Sequence, residues 1–153
     1  MSIFPWKKKK EFFTPEEKQQ LVEAINQAEQ RTSGEVRVFI ESKCRFVDAL
    51  DRAQEIFFKL KMQETEQRNA TLIYVAVKDR QAAVYGDEGI HLKVGKAWWE
   101  DVVARMLLEF RDQKLADGVC KGITLLGEAL QFHFPYNRDT DKNELPDEIV
   151  FGR

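Results

Sequence analysis

The chain of 153 residues has the length of one domain, and 43% of its residues are hydrophobic, which is enough to build a sizeable core. Its formal net charge of −2 at pH 7 gives no reason to expect nucleic acid as its main partner. No apolar run reaches the roughly 20 residues that a membrane-spanning helix needs, and the N-terminal lysines follow the apolar residues instead of preceding them. We therefore expect a cytoplasmic protein with no transmembrane segment and two reduced cysteines.

Residues 1–13 are predicted to form an arm before the domain. Two aromatic residues in this arm, Phe4 and Trp6, precede a run of four lysines. Aromatic and basic residues together suit weak contact of residues 3–10 with an anionic membrane surface. The alternative is that the aromatic residues pack against the domain, and the sequence leaves both possibilities open.

The first helix begins with a strong capping signal. Thr14 can cap the helix, Pro15 suits its first position, and Glu17 completes a capping box. Apolar residues then recur at helical spacing as far as Ala28. The β-branched and aromatic run from Val36 to Ile40 predicts the first strand.

A second amphipathic helix is predicted from Val47 to Met62. The next segment, residues 72–77, is an almost unbroken apolar run that is typical of a strand covered on both faces. The polar Asp79-Arg80 pair then predicts a turn, and residues 81–85 predict a returning strand. Two more helices are predicted, over residues 98–110 and 115–132.

Residues 136–153 are predicted to form an acidic C-terminal tail. Asp139, Asp141 and Asn143 have the opening spacing of an EF-hand loop, but Glu144 replaces the required glycine and Val150 the bidentate glutamate. The tail is therefore interpreted as a segment that packs back on the domain. The residues that would make this contact are Leu145, Ile149 and Phe151.

The order of these elements predicts an α/β fold. We expect a three-layer α/β/α sandwich around a mixed, mostly parallel sheet with one antiparallel hairpin strand, formed by residues 14–135. A right-handed crossover through the second helix would make the strands at 36–40 and 72–77 parallel neighbours. The strand at 81–85 would then return antiparallel to the second of them.

This topology separates the candidate metal ligands between two ends of the sheet. Glu35, Asn69, Asp87 and Glu88 fall near one end, where Gly86 and Gly89 flank the acidic pair and free its backbone for a tight bend. Carboxylate and amide oxygens are the ligands that Ca²⁺ and Mg²⁺ prefer. We therefore favour this end for a Ca²⁺ or Mg²⁺ site. Asp79 lies at the other end, which is the usual ligand side of parallel strands and so remains the rival location.

Several segments resemble the TPM-domain family, which is named after a thylakoid-lumen photosystem-repair protein and has many bacterial members. They include Asn69 with its apolar strand, the Asp79-Arg80 turn and the Tyr85-Gly86-x-Glu88-Gly89 exit. The similarity runs from about Thr14 to Pro135, and the segments beyond it resemble a stand-alone bacterial subgroup. Further matching residues are Ser33, Gly34, Phe110, Gly118, Val119 and Gly122.

The resemblance implies an α/β/α fold, divalent-metal binding in a surface crevice and, for some relatives, acid phosphatase activity. It makes Glu88 the first choice of ligand, because Glu88 matches a family position. Two departures weaken the comparison. Many relatives have glycine at Val84, and many have an aspartate near Lys93, where a lysine would weaken a metal site that used that aspartate.

The sequence contains no recognisable phosphatase nucleophile, so a metal-assisted mechanism is the only enzymatic one that it suggests. The leading hypothesis is a cation-binding accessory or interaction module with an unknown protein partner. The alternative is a metal-dependent acid phosphatase. A peripheral membrane adaptor that uses residues 3–10 is the weaker alternative.

Overall fold

The structure, a computed structural model, describes residues 12–45, 48–136 and 149–152. Predictions for residues 3–10, Asp139, Asp141, Asn143, Glu144 and Leu145 therefore lie outside the described residues. The described residues form five helices and four strands in the order α1 Pro15–Glu29, β1 Glu35–Glu41, α2 Ala49–Lys59, β2 Ala70–Ala76, β3 Gln81–Gly86, α3 Glu88–Val94, α4 Lys96–Arg111, α5 Leu115–His133 and β4 Ile149–Phe151.

The four strands form one sheet in the order β3-β2-β1-β4. β1 runs parallel to both β2 and β4, whereas β3 is antiparallel to β2. This arrangement confirms the predicted α/β fold with a mixed, mostly parallel sheet and an antiparallel hairpin strand. The sequence does not predict strand β4. It is formed by the end of the tail, where Ile149 and Phe151 pair with β1 and so return to the domain as expected.

Two hydrophobic clusters cover the two faces of the sheet and explain its layers. One cluster joins α1, α3, α4 and α5 to Val36, Val38, Ile73 and Val84. The other joins α2 to Phe39, Leu72, Tyr74 and Ala83 on the opposite face. Since alternate strand residues point to opposite faces, all seven residues of β1 and of β2 are buried.

Helix α1 begins as the sequence predicts. The Thr14 side chain accepts a hydrogen bond from the Glu17 backbone N–H, and the Glu17 carboxylate accepts one from the Thr14 N–H. Helix α2 is shorter than the predicted range 47–62. Asp48 caps it, and it ends at Lys59 because Lys61 adopts a left-handed backbone conformation with φ 58°.

The acidic segment after β3 differs from the tight bend that the sequence predicts. Asp87 caps a short helix, α3, which starts at Glu88. Gly95, with φ 79°, separates α3 from α4 and shifts the start of α4 to Lys96, two residues before the predicted start. Within the described ranges, no helix is long and apolar enough to cross a membrane.

Candidate functional site

The start of β1, the start of β2 and the end of β3 meet at one end of the sheet. Glu35 pairs with Ala70, and the next residue of β2, Thr71, pairs with Gly86. Glu35, Asn69, Asp87 and Glu88 therefore lie at this end, as the predicted topology requires. Asp79 lies at the other end, where its carboxylate accepts a hydrogen bond of 2.7 Å from the Cys44 backbone N–H.

Asp87 is the most constrained of the candidate ligands. Its side chain is buried, and its two oxygens accept hydrogen bonds from Nε and Nη2 of Arg68 at 2.7 and 2.8 Å. Oδ1 also accepts the Glu88 backbone N–H at 2.8 Å, which caps α3. A cation that binds Asp87 must therefore share this carboxylate with Arg68 or displace the guanidinium.

The pairing of Arg68 with Asp87 leaves no recognisable pattern in the sequence. Arg68 adopts a left-handed conformation, with φ 51°, that turns the chain into β2. Its hydrogen bond to Asp87 raises the pKa of the guanidinium above its ordinary value, against the opposing effect of desolvation. Because 19 residues separate the two partners, no local sequence pattern reports their contact.

Glu88 is the open carboxylate at this end of the sheet. Its side chain is 68% exposed, and one of its oxygens lies 3.7 Å from Nη1 of Arg68. It stands in the first turn of α3, where the helix dipole favours a negative charge. Glu88 can therefore bind a hydrated cation without giving up a hydrogen bond within the described structure.

Asn69 and Glu35 are buried beside this corner. The Asn69 side chain donates from Nδ2 to Ser33 Oγ at 3.3 Å, and its Oδ1 has no hydrogen-bond partner among the described residues. The Asn69 backbone oxygen accepts the Glu35 N–H at 3.4 Å. A buried oxygen without a partner is a natural place for a water molecule or an ion.

The described ranges do not contain three or more His, Cys, Asp or Glu residues grouped closely enough to hold a metal ion. The acidic corner formed by Asp87 and Glu88 provides two carboxylates, of which one is already paired with Arg68. Such a donor set suits Mg²⁺, which keeps several of its waters and binds through one or two carboxylates.

The opposite end of the sheet contains a second carboxylate–arginine pair, which we call closed because a third buried group also binds its carboxylate. Glu41 accepts hydrogen bonds from Nε and Nη2 of Arg52 at 2.9 and 3.0 Å and another from the buried Tyr74 hydroxyl. Burial, together with the hydrogen bond to Glu41, raises the pKa of Tyr74. These hydrogen bonds give Glu41 a structural role.

A groove of about 780 Å³ opens beside the acidic corner, which is a volume typical of ligand sites. Its apolar wall residues come from α2 and α4, its floor is β3, and Asp87 and Glu88 border one end. The lining residues are Asp48, Leu50, Phe58, Arg68, Ala82, Ala83, Val84, Tyr85, Gly86, Asp87, Glu88, His91, Lys96, Trp99, Glu100 and Val103.

Trp99 and His91 bind each other and line the groove next to Gly86. The indole N–H of Trp99 donates to Nδ1 of His91 at 2.9 Å, and the two rings lie nearly parallel. A Cβ atom at position 86 would collide with the Trp99 ring, so glycine there permits the close approach. The sequence predicts that one of Trp98 and Trp99 lies in the core, and Trp99 both belongs to the core and lines the groove.

Comparison with known proteins identifies relatives of this fold. The family model described as "TPM domain" matches residues 7–129. The NMR structure of the BA42 protein from the psychrophilic bacterium Bizionia argentinensis is 41% identical, with a TM-score of 0.85, over 95% of this chain and 99% of that one. The chain has no significant match among curated proteins.

Two more distant structures share the fold alone. The N-terminal domain of a P. gingivalis protein is 13% identical with a TM-score of 0.66, over 82% of this chain and 83% of that one. The N-terminal domain of the cg2496 protein from Corynebacterium glutamicum is also 13% identical, with a TM-score of 0.56, over 78% of this chain and 74% of that one.

Proposed function

The chain belongs to the TPM domain family, and from that premise we propose that it is an interaction module that binds a divalent cation, Ca²⁺ or Mg²⁺, at the acidic corner. The observation that carries this proposal is the position of Asp87 and Glu88 at one end of an open groove. A cation there would sit beside any ligand in the groove. A cytoplasmic location and a protein partner remain predictions.

Glu88 is the proposed primary ligand, because its carboxylate is solvent-accessible and its only described ionic neighbour is 3.7 Å away. Asp87 is the second ligand, through an oxygen that Arg68 would release. Asn69 contributes its unpaired Oδ1 through a bridging water, and Glu35, buried at the same end of the sheet, could complete the oxygen shell. Competition with Arg68 makes the proposed binding weak. Asp79 accepts a backbone N–H at the other end, so it takes no part in this site.

Among the described residues that line the groove there is no serine, threonine or cysteine that could act as a nucleophile, so hydrolysis there would need a metal-bound water. His91 is the one histidine that lines it, and its Nδ1 already accepts the Trp99 N–H. A non-enzymatic role therefore fits the described residues best.

A metal-dependent phosphatase is the second candidate function. Arg68, His91 and Lys96 line the same groove as Glu88, so a phosphate group there would meet donors as well as a bound cation. In that case hydrolysis of an aryl phosphate should require added Mg²⁺ or Ca²⁺ and disappear with chelator. Glu88→Gln should abolish it, whereas hydrolysis that survives chelation would contradict a metal-assisted mechanism.

The proposed cation site is tested by NMR titration of the ¹⁵N-labelled protein with Ca²⁺ and with Mg²⁺. We expect the amide resonances of residues 86–89 and of Asn69 to shift. Glu88→Gln should remove most of these shifts, whereas the matched control Glu128→Gln, an exposed position on α5, should leave them unchanged. Shifts confined to residues 139–148 would place the cation on the tail and overturn the proposal.

A further inference from the structure

β3 forms one edge of the sheet, and no described element pairs with its outer side. Its six residues, Gln81–Gly86, pair with β2 in unbroken register and include no charged residue and no proline. Proteins usually protect such an edge with charge, proline, a bulge or a covering segment. The opposite edge strand, β4, is only three residues long.

The register shows which backbone groups of β3 face outward. The Asp87 N–H donates to the Ala70 carbonyl at 2.9 Å, which extends the β2–β3 ladder by one hydrogen-bonded pair. Such pairs alternate along antiparallel strands. The N–H and C=O groups of Ala82, Val84 and Gly86 therefore point away from β2, whereas Ala83 and Tyr85 bond to it.

The groove runs along these outward-facing groups. It is lined by all five consecutive residues from Ala82 to Gly86. Successive strand side chains point to opposite faces, so the backbone edge is the feature that all five share. Leu50 and Phe58 of α2, which are 43% and 41% exposed, border the groove on one face, and Val103 of α4 borders it on the other.

The charges around the groove indicate the character of its ligand. Four carboxylates line it, from Asp48, Asp87, Glu88 and Glu100, against two basic side chains, from Arg68 and Lys96. Arg68 is bound to Asp87, so the excess charge is negative. An apolar centre with an acidic border is complementary to a segment that has apolar residues in its middle and basic residues at its ends.

We propose that β3 binds an extended peptide segment of a partner protein by strand addition. The segment has apolar side chains in its middle and lysine or arginine at its ends. Its backbone pairs with Ala82, Val84 and Gly86, and its side chains enter the spaces beside α2 and α4. The inference deepens the proposed function by naming the class of partner, but it uses the β3 backbone and not the cation ligands.

Amide hydrogen exchange tests this proposal with a synthetic peptide, acetyl-Lys-Thr-Val-Thr-Phe-Thr-Val-Lys-amide, in buffer with chelator. In the free protein the amides of Ala82, Val84 and Gly86 should exchange quickly, and those of Ala83 and Tyr85 slowly. The peptide should slow exchange only at the amides of Ala82, Val84 and Gly86. The same peptide with its Thr-Phe-Thr residues N-methylated is the control, and it should give no protection.

Two pairs of variants separate backbone pairing from side-chain contact. Ala82→Pro removes an outward N–H without removing a β2 hydrogen bond, and we expect roughly tenfold weaker peptide binding, whereas Ala82→Ser should bind normally. Leu50→Ser should also weaken binding. Leu92→Ser is its matched control, because Leu92 is 82% exposed and lies outside the groove lining. If Ala82→Pro does not fold, the exchange pattern and the comparison of Leu50→Ser with Leu92→Ser still test the proposal.

Three results would overturn strand addition: equal binding of the N-methylated peptide, protection that does not alternate, or alternating protection in the free protein that grows with its concentration. The last result would assign the edge to a second copy of this chain. Failure of the proposal is distinguishable from failure of the cation site. Cation-induced shifts at residues 86–89 without peptide protection would leave only the cation site standing, and the reverse pattern would leave only strand addition.

Discussion

The two ends of the sheet carry the same chemical pair in different surroundings. At one end Arg52 binds Glu41 through two hydrogen bonds, and at the other Arg68 binds Asp87 in the same way. The carboxylates are almost equally buried, with side-chain exposures of 6% and 2%, but the arginines differ, at 21% and 38%. Glu41 and Asp87 are thus both buried, but Arg68 is more accessible to solvent than Arg52.

Glu41 and Asp87 also differ in the groups that surround them besides arginine. Glu41 also accepts a hydrogen bond from the buried Tyr74 hydroxyl, and the Arg52 guanidinium lies over the Phe39 ring. Asp87 instead caps a helix that begins with an exposed glutamate and borders the groove. A carboxylate–arginine pair therefore indicates a binding site only where its surroundings leave room for another ligand.

The largest expected effect is at the closed end. Glu41→Ala leaves the Tyr74 hydroxyl and Arg52 without their buried partner, and we expect a loss of about 3 kcal/mol in the free energy of unfolding. Urea denaturation measures it. The control is Glu55→Ala, which removes the exposed partner of the same arginine and should cost less than about 1 kcal/mol. Equal losses in the two variants would show that Glu41 is not the structural anchor.

A smaller effect is expected for Tyr74→Phe, which removes one hydrogen bond to a charged group and should cost about 2 kcal/mol at neutral pH. Burial and the bond to Glu41 raise the pKa of Tyr74 above its ordinary value of 10.0. Above pH 10.0 the phenol of the unfolded chain ionises while that of the folded chain stays protonated, so stability falls as pH rises. Urea midpoints measured from pH 8 upward should fall less steeply in Tyr74→Phe, and equal slopes would contradict this origin.

The corresponding change at the open end is expected to be milder. Asp87→Ala removes both the cap of α3 and the partner of Arg68, but Arg68 is 38% exposed and can be hydrated, so we expect a loss of about 1–2 kcal/mol. Asp87→Asn retains a capping side chain and should lose less. Both variants lack the charge of the second proposed ligand but keep Glu88, so both should respond to Ca²⁺ or Mg²⁺ less than the unmodified protein does. If Asp87→Ala loses as much stability as Glu41→Ala, the two carboxylate–arginine pairs are structurally equivalent.

Local sequence patterns were sufficient to predict most of the fold. The apolar run at residues 72–77 and the Asp79-Arg80 turn predict β2, β3 and their antiparallel pairing. The helix between β1 and β2 predicts their parallel alignment, which places Glu35, Asn69 and Asp87 at one end. In each case the signal lies within a few residues of the element that it predicts.

The parts that could not be predicted depend on distant contacts. Helix α3 contains Gly89, which disfavours a helix, but a Cβ there would collide with the backbone oxygens of Gln67 and Arg68. Close packing therefore requires glycine at a position where helix propensity alone would exclude it. The Arg68–Asp87 pair likewise depends on a left-handed residue that the sequence does not signal. The same pair leaves the Asp87 side chain only 2% exposed.

The finest test of the comparison replaces each arginine by glutamine and measures only the response to cation. Arg68→Gln removes the guanidinium that binds Asp87, so Ca²⁺ or Mg²⁺ no longer competes with a positive side chain for this carboxylate. We expect a larger cation-induced rise in melting temperature than in the unmodified protein, because a tighter ligand stabilises the folded state more at equal concentration. In Arg52→Gln the Tyr74 hydroxyl still binds Glu41, and its burial leaves no room for a hydrated ion, so no such gain should appear. A gain in both variants would mean that any unpaired carboxylate attracts the cation, and a gain in neither would show that Arg68 does not limit access to Asp87.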